Sequence, residues 1–208
     1  MNAKELFIYL KQKKDYIQTG LNVDFAIEID TKNKENRLIF KETDSTMNWI
    51  ENLAFLPMIL PIGSKKLIVP RGFGLAYLSA NETVIPLFIE ACKKNPDFKI
   101  LICGWSFGSV MSIYSMIDFY ERTNKKPYVQ TFGRVKCIYP ISQIFDLSRF
   151  EKIEYSAEKI EEFANINDFV CWCNPFARSI KTVWVKDKFS LKKLFNTAYT
   201  HCNYQEVL

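Results

Sequence analysis

The chain has 208 residues, 48 % hydrophobic and 25 % charged, which excludes a disordered chain, a collagen-like repeat and a coiled coil and predicts a single domain over residues 1–208 with a sizeable core. Lys and Arg outnumber Asp and Glu by 28 to 23. The surplus is scattered in pairs such as Lys13-Lys14 and Lys65-Lys66; it does not form the stripe of a nucleic-acid binder, so no nucleic-acid partner is expected, while a weak pull toward anionic lipid surfaces fits its sign.

In chain order, residues 3–18 read as a first helix carrying Leu6, Ile8, Tyr9, Leu10 and Ile17. Val23–Ile29 alternates apolar and polar residues at period two, a half-buried strand. A polar turn over 31–36 leads to a second strand at Arg37–Phe40, making a hairpin. Asp44-Ser45 is an N-cap for a short helix over 46–53, and Pro57 and Pro61 break the apolar stretch that follows. Lys66–Val69 is a short strand candidate. Asn81–Lys94 reads as a helix with Val84, Leu87, Phe88 and Ala91 on one face. Lys99–Cys103 is a strand, Ser106–Arg122 a helix and Tyr128–Phe132 a strand. Ser156–Phe163 reads as helical, while Ile166–Trp172 and Thr182–Val185 are further strand candidates. Strands alternating with helices predict an α/β fold: a mixed, mostly parallel central sheet with helices on both faces.

Residues 100–117 hold no charge, the lower length limit of a membrane span. Two glycines and four serines lower the hydropathy there, and a buried strand turning into a buried helix accounts for the stretch better. The six cysteines are not spaced like a secreted disulfide framework. With one histidine in the chain, Cys171 and Cys173 make a poor zinc set, so no metal is expected and the cysteines read as buried strand thiols. Free thiols and an N-terminus without an apolar leader predict a cytoplasmic protein.

The chemistry concentrates at Gly104-Trp105-Ser106-Phe107-Gly108, a G-x-S-x-G between a strand and a helix. Such a turn projects the serine hydroxyl from the sheet edge, and its glycines allow the turn and close strand–helix packing. The Phe107 amide falls at the helix N-terminus, where it can stabilise an oxyanion. A serine hydroxyl needs a base, and His201 is the only histidine. The orienting acid should lie between them, which leaves Asp118, Asp146, Asp168 and Asp187. Asp118 is a poor candidate inside the helix after the serine. Asp168, in an apolar setting near a strand end, suits the role better than Asp187 among lysines.

The order of motifs resembles the class 3, fungal-type lipase family from about residue 22 onward. Phe40-Lys41-Glu42-Thr43 is similar to that family's Phe-Arg-Gly-Ser/Thr, and the segment 44–56 with Trp49 to its lid. Arg71-Gly72-Phe73, the serine elbow, Thr131–Val135, Asn167–Val170 and His201 with Tyr204 complete the order. The resemblance implies an α/β-hydrolase fold, Ser106 as nucleophile, Asp168 as acid and His201 as base. It also implies an oxyanion hole from Thr43 and Phe107, and a lid presenting Met47, Trp49, Ile50 and Leu53 to lipid. No cofactor is implied, and the substrate would be a lipid or other small acyl ester. Three departures stand out: Lys41-Glu42 in place of Arg-Gly, Phe107 after the serine, and Cys171 in place of a proline. They keep a second reading open, a catalytically inactive lipase-fold binding protein.

Overall fold

The computed structural model describes residues 1–42, 56–139, 153–165, 167–168, 171, 182–185, 204 and 208. The first element, α1 (Ala3–Gln12), starts at a capping box: the Asn2 side chain accepts from the Glu5 amide, and the Glu5 carboxylate accepts from the Asn2 amide. It ends well before residue 18. Lys13 turns extended, and Ile17 begins an edge strand, β1 (Ile17–Thr19), where its side chain is exposed.

The strands β2 (Val23–Asp30) and β3 (Glu35–Phe40) form the expected hairpin. Pro57 and Pro61 do not break structure; they lie in β4 (Pro57–Ile62), which pairs only with β5 (Lys65–Pro70). A proline is tolerated on a strand edge that has no ladder bond to donate. The helix α2 (Arg71–Lys94) begins ten residues earlier than the sequence pattern indicates. Val84, Ile85, Phe88 and Cys92 face the core, whereas Leu87 is half exposed. It is the one described helix long and apolar enough to cross a membrane, and over half of its apolar window is buried against the rest of the protein.

The expected strand, helix and strand follow as β6 (Lys99–Trp105), α3 (Phe107–Thr123) and β7 (Tyr128–Phe132). The segment read as a helix over 156–163 is instead a strand, β8 (Lys159–Asn165), and β9 (Thr182–Val185) is as expected. The described residues 167, 168 and 171 are not in a strand.

One seven-stranded sheet runs in the order β1-β2-β3-β6-β7-β8-β9. The first three strands are antiparallel, and β3, β6, β7, β8 and β9 are parallel. This is the mixed, mostly parallel arrangement of an α/β-hydrolase. One face is covered by α2 and α3, with Phe73, Phe88, Tyr114 and Phe119 in the core. The other face is covered by α1, through Leu6, Phe7 and Leu10. The four described free cysteines, Cys92, Cys103, Cys137 and Cys171, are buried as expected, although only Cys103 lies in a strand.

Candidate active site

In an open α/β sheet, ligands bind beyond the carboxyl ends of the parallel strands, and β6 ends there at Trp105. Ser106 follows with φ 56° and ψ −120°, a positive-φ backbone that a side-chain-bearing residue rarely adopts. It costs about 1–3 kcal/mol and persists only where neighbours fix it. Here the Ser106 amide donates to the Phe132 carbonyl at 2.9 Å, and the Ser106 carbonyl accepts from the Ser109 amide at 3.0 Å. The Ser109 hydroxyl sits 2.9 Å from the Gly104 carbonyl oxygen and 2.8 Å from that of Phe132, tying α3 to both strands.

The turn therefore resides in the serine, and the glycines supply proximity. A Cβ on Gly104 would lie 2.3 Å from the Gly108 carbonyl oxygen, and one on Gly108 would lie 2.4 Å from that of Phe40. Strand β6, helix α3 and the exit of β3 thus meet backbone to backbone.

Phe107 opens α3, where the first amides lack intrahelical acceptors and carry the positive end of the helix dipole. Its ring points away from the strand edge and packs on Phe73 at 5.9 Å, so the residue's bulk is absorbed by the core. The Phe40 and Lys41 carbonyls lie over this same helix start, and the Lys41 amide donates to the Asp24 carbonyl at 3.0 Å. Thr43 and the lid positions Met47, Trp49, Ile50 and Leu53 lie outside the described residues.

Asp168 follows β8, two strands from β6, hence roughly 10 Å across the sheet edge. It is fully buried. The Tyr204 hydroxyl donates to Asp168 Oδ2 at 2.9 Å and accepts from the Asn165 amide at 2.9 Å. The Cys171 thiol reaches the same Oδ2 at 3.4 Å. Burial pushes the Cys171 thiol and the Tyr204 hydroxyl well above their ordinary values, so both remain protonated donors. Asp118 is engaged elsewhere, accepting from Tyr77 at 2.8 Å and Arg122 at 2.7 Å. His201, Asp146 and Asp187 lie outside the described residues. Tyr204, three residues after His201 in the sequence, is described and bonds Asp168.

Three further supports escaped the sequence reading. Ser109 sits one helical turn past Ser106. A buried ion pair, Arg134 with Glu162, ties the segment after β7 to β8, the strand that leads to Asp168. Phe7 of α1 contacts Trp105, Phe132 and Tyr204 with ring centroids 5.2–5.5 Å apart. Among the described residues no cluster of His, Cys, Asp or Glu could hold a metal ion.

Comparison with known proteins points one way. The sequence model of the family described as Lipase (class 3) matches residues 37–177, about two thirds of the chain. A lipase from Rhizomucor miehei is 28 % identical over 87 residues, which is 41 % of this chain and 23 % of that protein. The structure of the Rhizomucor miehei lipase propeptide complex superposes with a TM-score of 0.71 at 19 % identity, over 84 % of this chain and 56 % of the other. A triacylglycerol lipase whose catalytic centre is described as a serine protease triad gives 0.70 at 19 % identity, over 83 % and 66 %. The chain thus spans a quarter to two thirds of the length of these relatives.

Proposed function

Because the chain belongs to the class 3 lipase family, we propose that it hydrolyses carboxylic esters with apolar acyl chains through an acyl-enzyme on Ser106. The observation that carries this reading is the elbow itself: a serine held at positive φ between a parallel strand and a helix N-terminus. That backbone strain has no packing purpose, since the glycines on either side make the close contacts.

In this mechanism Ser106 Oγ attacks the ester carbonyl carbon while its proton passes to His201. The tetrahedral oxyanion is met by the Phe107 amide and by the Thr43 amide. The carbonyl re-forms, the alcohol leaves with the proton from His201, and the acyl group stays on Oγ. Water, deprotonated by the same imidazole, then releases the carboxylic acid. Asp168 holds the imidazole in the tautomer that faces Ser106. Tyr204 and Cys171 both hold one oxygen of that carboxylate, which fixes its plane. The segment 44–56 would serve as a lid over the serine and place its apolar face on a lipid surface.

A fluorophosphonate probe tests the reading directly. Covalent labelling of Ser106, absent in Ser106→Ala, is expected, together with turnover of p-nitrophenyl esters of graded chain length. A folded protein that neither labels nor turns over is the inactive binding protein instead.

A further inference from the structure

Beside the serine elbow, a cavity of about 190 Å³ opens between the end of α1 and the exit of β3. Its lining includes Trp105, the residue before the nucleophile, and Lys41, two residues before Thr43. It therefore borders the place where the ester is cleaved. Among the described residues of its lining, Lys11, Lys13 and Lys41 are cationic and Glu42 is anionic.

Two of these ammonium groups converge on one ring. Lys13 Nζ lies 5.5 Å and Lys41 Nζ 6.0 Å from the centroid of Tyr16, itself part of the lining. Their carboxylate neighbours are on β2 and do not line the cavity: Glu28 is 2.6 Å from Lys13 Nζ, and Asp24 is 3.9 Å from Lys41 Nζ. An ammonium has three N–H donors, so the bond to Glu28 fixes Lys13 in place and leaves it donors to offer. The Lys41 contact is too long to be a hydrogen bond at all. Glu28 is further held by the Tyr9 hydroxyl at 2.5 Å, which anchors the arrangement from behind.

An acyl chain is a poor occupant, because it would strip water from the ammonium groups and give no hydrogen bond back. The cavity instead suits the alcohol side of the ester, provided that side is negatively charged. We propose that it binds a phosphate group carried on the alcohol part of the substrate. The preferred substrates are then acyl esters of phosphorylated alcohols, of the glycerophospholipid kind, over neutral acylglycerols. This deepens, and rests on, the assignment of Ser106 as an ester-cleaving nucleophile.

The test uses the full chain with short, monomeric substrates, so that no lipid surface intervenes: dihexanoylphosphatidic acid and dihexanoylglycerol. The quantity read is the ratio of kcat/KM for the anionic over the neutral ester. A wild-type ratio above one is expected, falling as salt screens the lysines. It should drop about tenfold in the K11Q/K13Q double variant, which removes two charge-assisted contacts. K14Q removes one charge from a side chain outside the lining, and should keep the wild-type ratio. A ratio unmoved by the double variant, or lowered as far by K14Q, overturns the proposal. If loss of the Lys13–Glu28 pair unfolds the double variant, K11Q and the salt titration decide: no drop in either overturns it. Calorimetric binding of dihexanoylphosphatidic acid, about tenfold weaker in the double variant, is read in parallel and needs no turnover. Binding without hydrolysis of either ester refutes the nucleophile assignment and leaves the phosphate site standing; no binding and no preference refutes the site.

Discussion

Replacing Tyr204 by Phe removes one oxygen from the fully buried support of Asp168. The ring remains, so its contacts with Phe7 at 5.5 Å and Phe132 at 6.5 Å persist. Three polar contacts are lost: the bond donated to Asp168 Oδ2, the bond accepted from the Asn165 amide, and the contact with Cys171 Sγ at 3.2 Å. A hydrogen bond to a charged group contributes about 1.5–3 kcal/mol, and a buried amide deprived of its acceptor costs about 1–3 kcal/mol. Because one oxygen makes both bonds, the terms overlap, and the expected destabilisation is about 2–4 kcal/mol. Urea unfolding at neutral pH measures it, with an unchanged m-value showing that both end states are preserved. Catalysis should suffer separately. An acid held by fewer donors orients the imidazole less well, so kcat on a p-nitrophenyl ester should fall about 10- to 100-fold. That is less than the roughly 10⁴-fold known for removing the charge of a triad acid, which Asp168→Asn measures here. A Tyr204→Phe variant with wild-type kcat and stability within about 0.5 kcal/mol would refute the claim that this hydroxyl supports the acid.

Ser106→Ala should abolish hydrolysis with little change in stability, whereas Ser106→Gly should abolish hydrolysis and raise stability by about 1 kcal/mol, since glycine adopts φ 56° without strain; calorimetric melting of the pair checks it. Gly108→Ala, whose Cβ would meet the backbone carbonyl of Phe40, should cost about 1–3 kcal/mol or more and lower fluorophosphonate labelling by displacing the β3 exit. Burial raises the thiols of Cys92, to about 12, and of Cys137 and Cys171. Stability should therefore be level below about pH 8.5, where unfolded cysteines are protonated, and decline above it as the unfolded chain alone gives up its protons. Urea midpoints from pH 7 to 10.5 test this, and a midpoint rising with pH over that range would contradict it.

The sequence displayed strands β6 and β7 well, because they are largely apolar runs bounded by turns. It displayed the serine elbow too, since a G-x-S-x-G between a strand and a helix calls for a sharp turn at the serine. Strand β8 was hidden by charge: Glu162 points inward at only 3 % exposure because Arg134 waits for it, and a buried ion pair imitates a polar face. The start of α2 was hidden by small residues. Gly74, with a Cβ position 2.4 Å from Met58 Sδ, reads as a loop residue until β4 is seen lying against it. Strand β4 was obscured by its prolines, which are harmless on an edge. The support of the acid was the least legible part of the site, since Asn165, Cys171 and Tyr204 meet only through tertiary contacts.

The aromatic contacts of Phe7 bear on the biosynthesis of the protein. Helix α1 packs on Trp105 and Phe132, and on Tyr204, roughly two hundred residues further along the chain. The chain emerges at about 5–20 residues per second, so the elbow serine is made about 5–20 s before the tyrosine that braces the acid. During that interval the nascent chain holds Ser106 without the hydroxyl that supports Asp168, and that support arrives only with the residue whose ring closes on Phe7. Synthesis in the N-to-C direction thus separates in time the elbow at Ser106 from the support of Asp168.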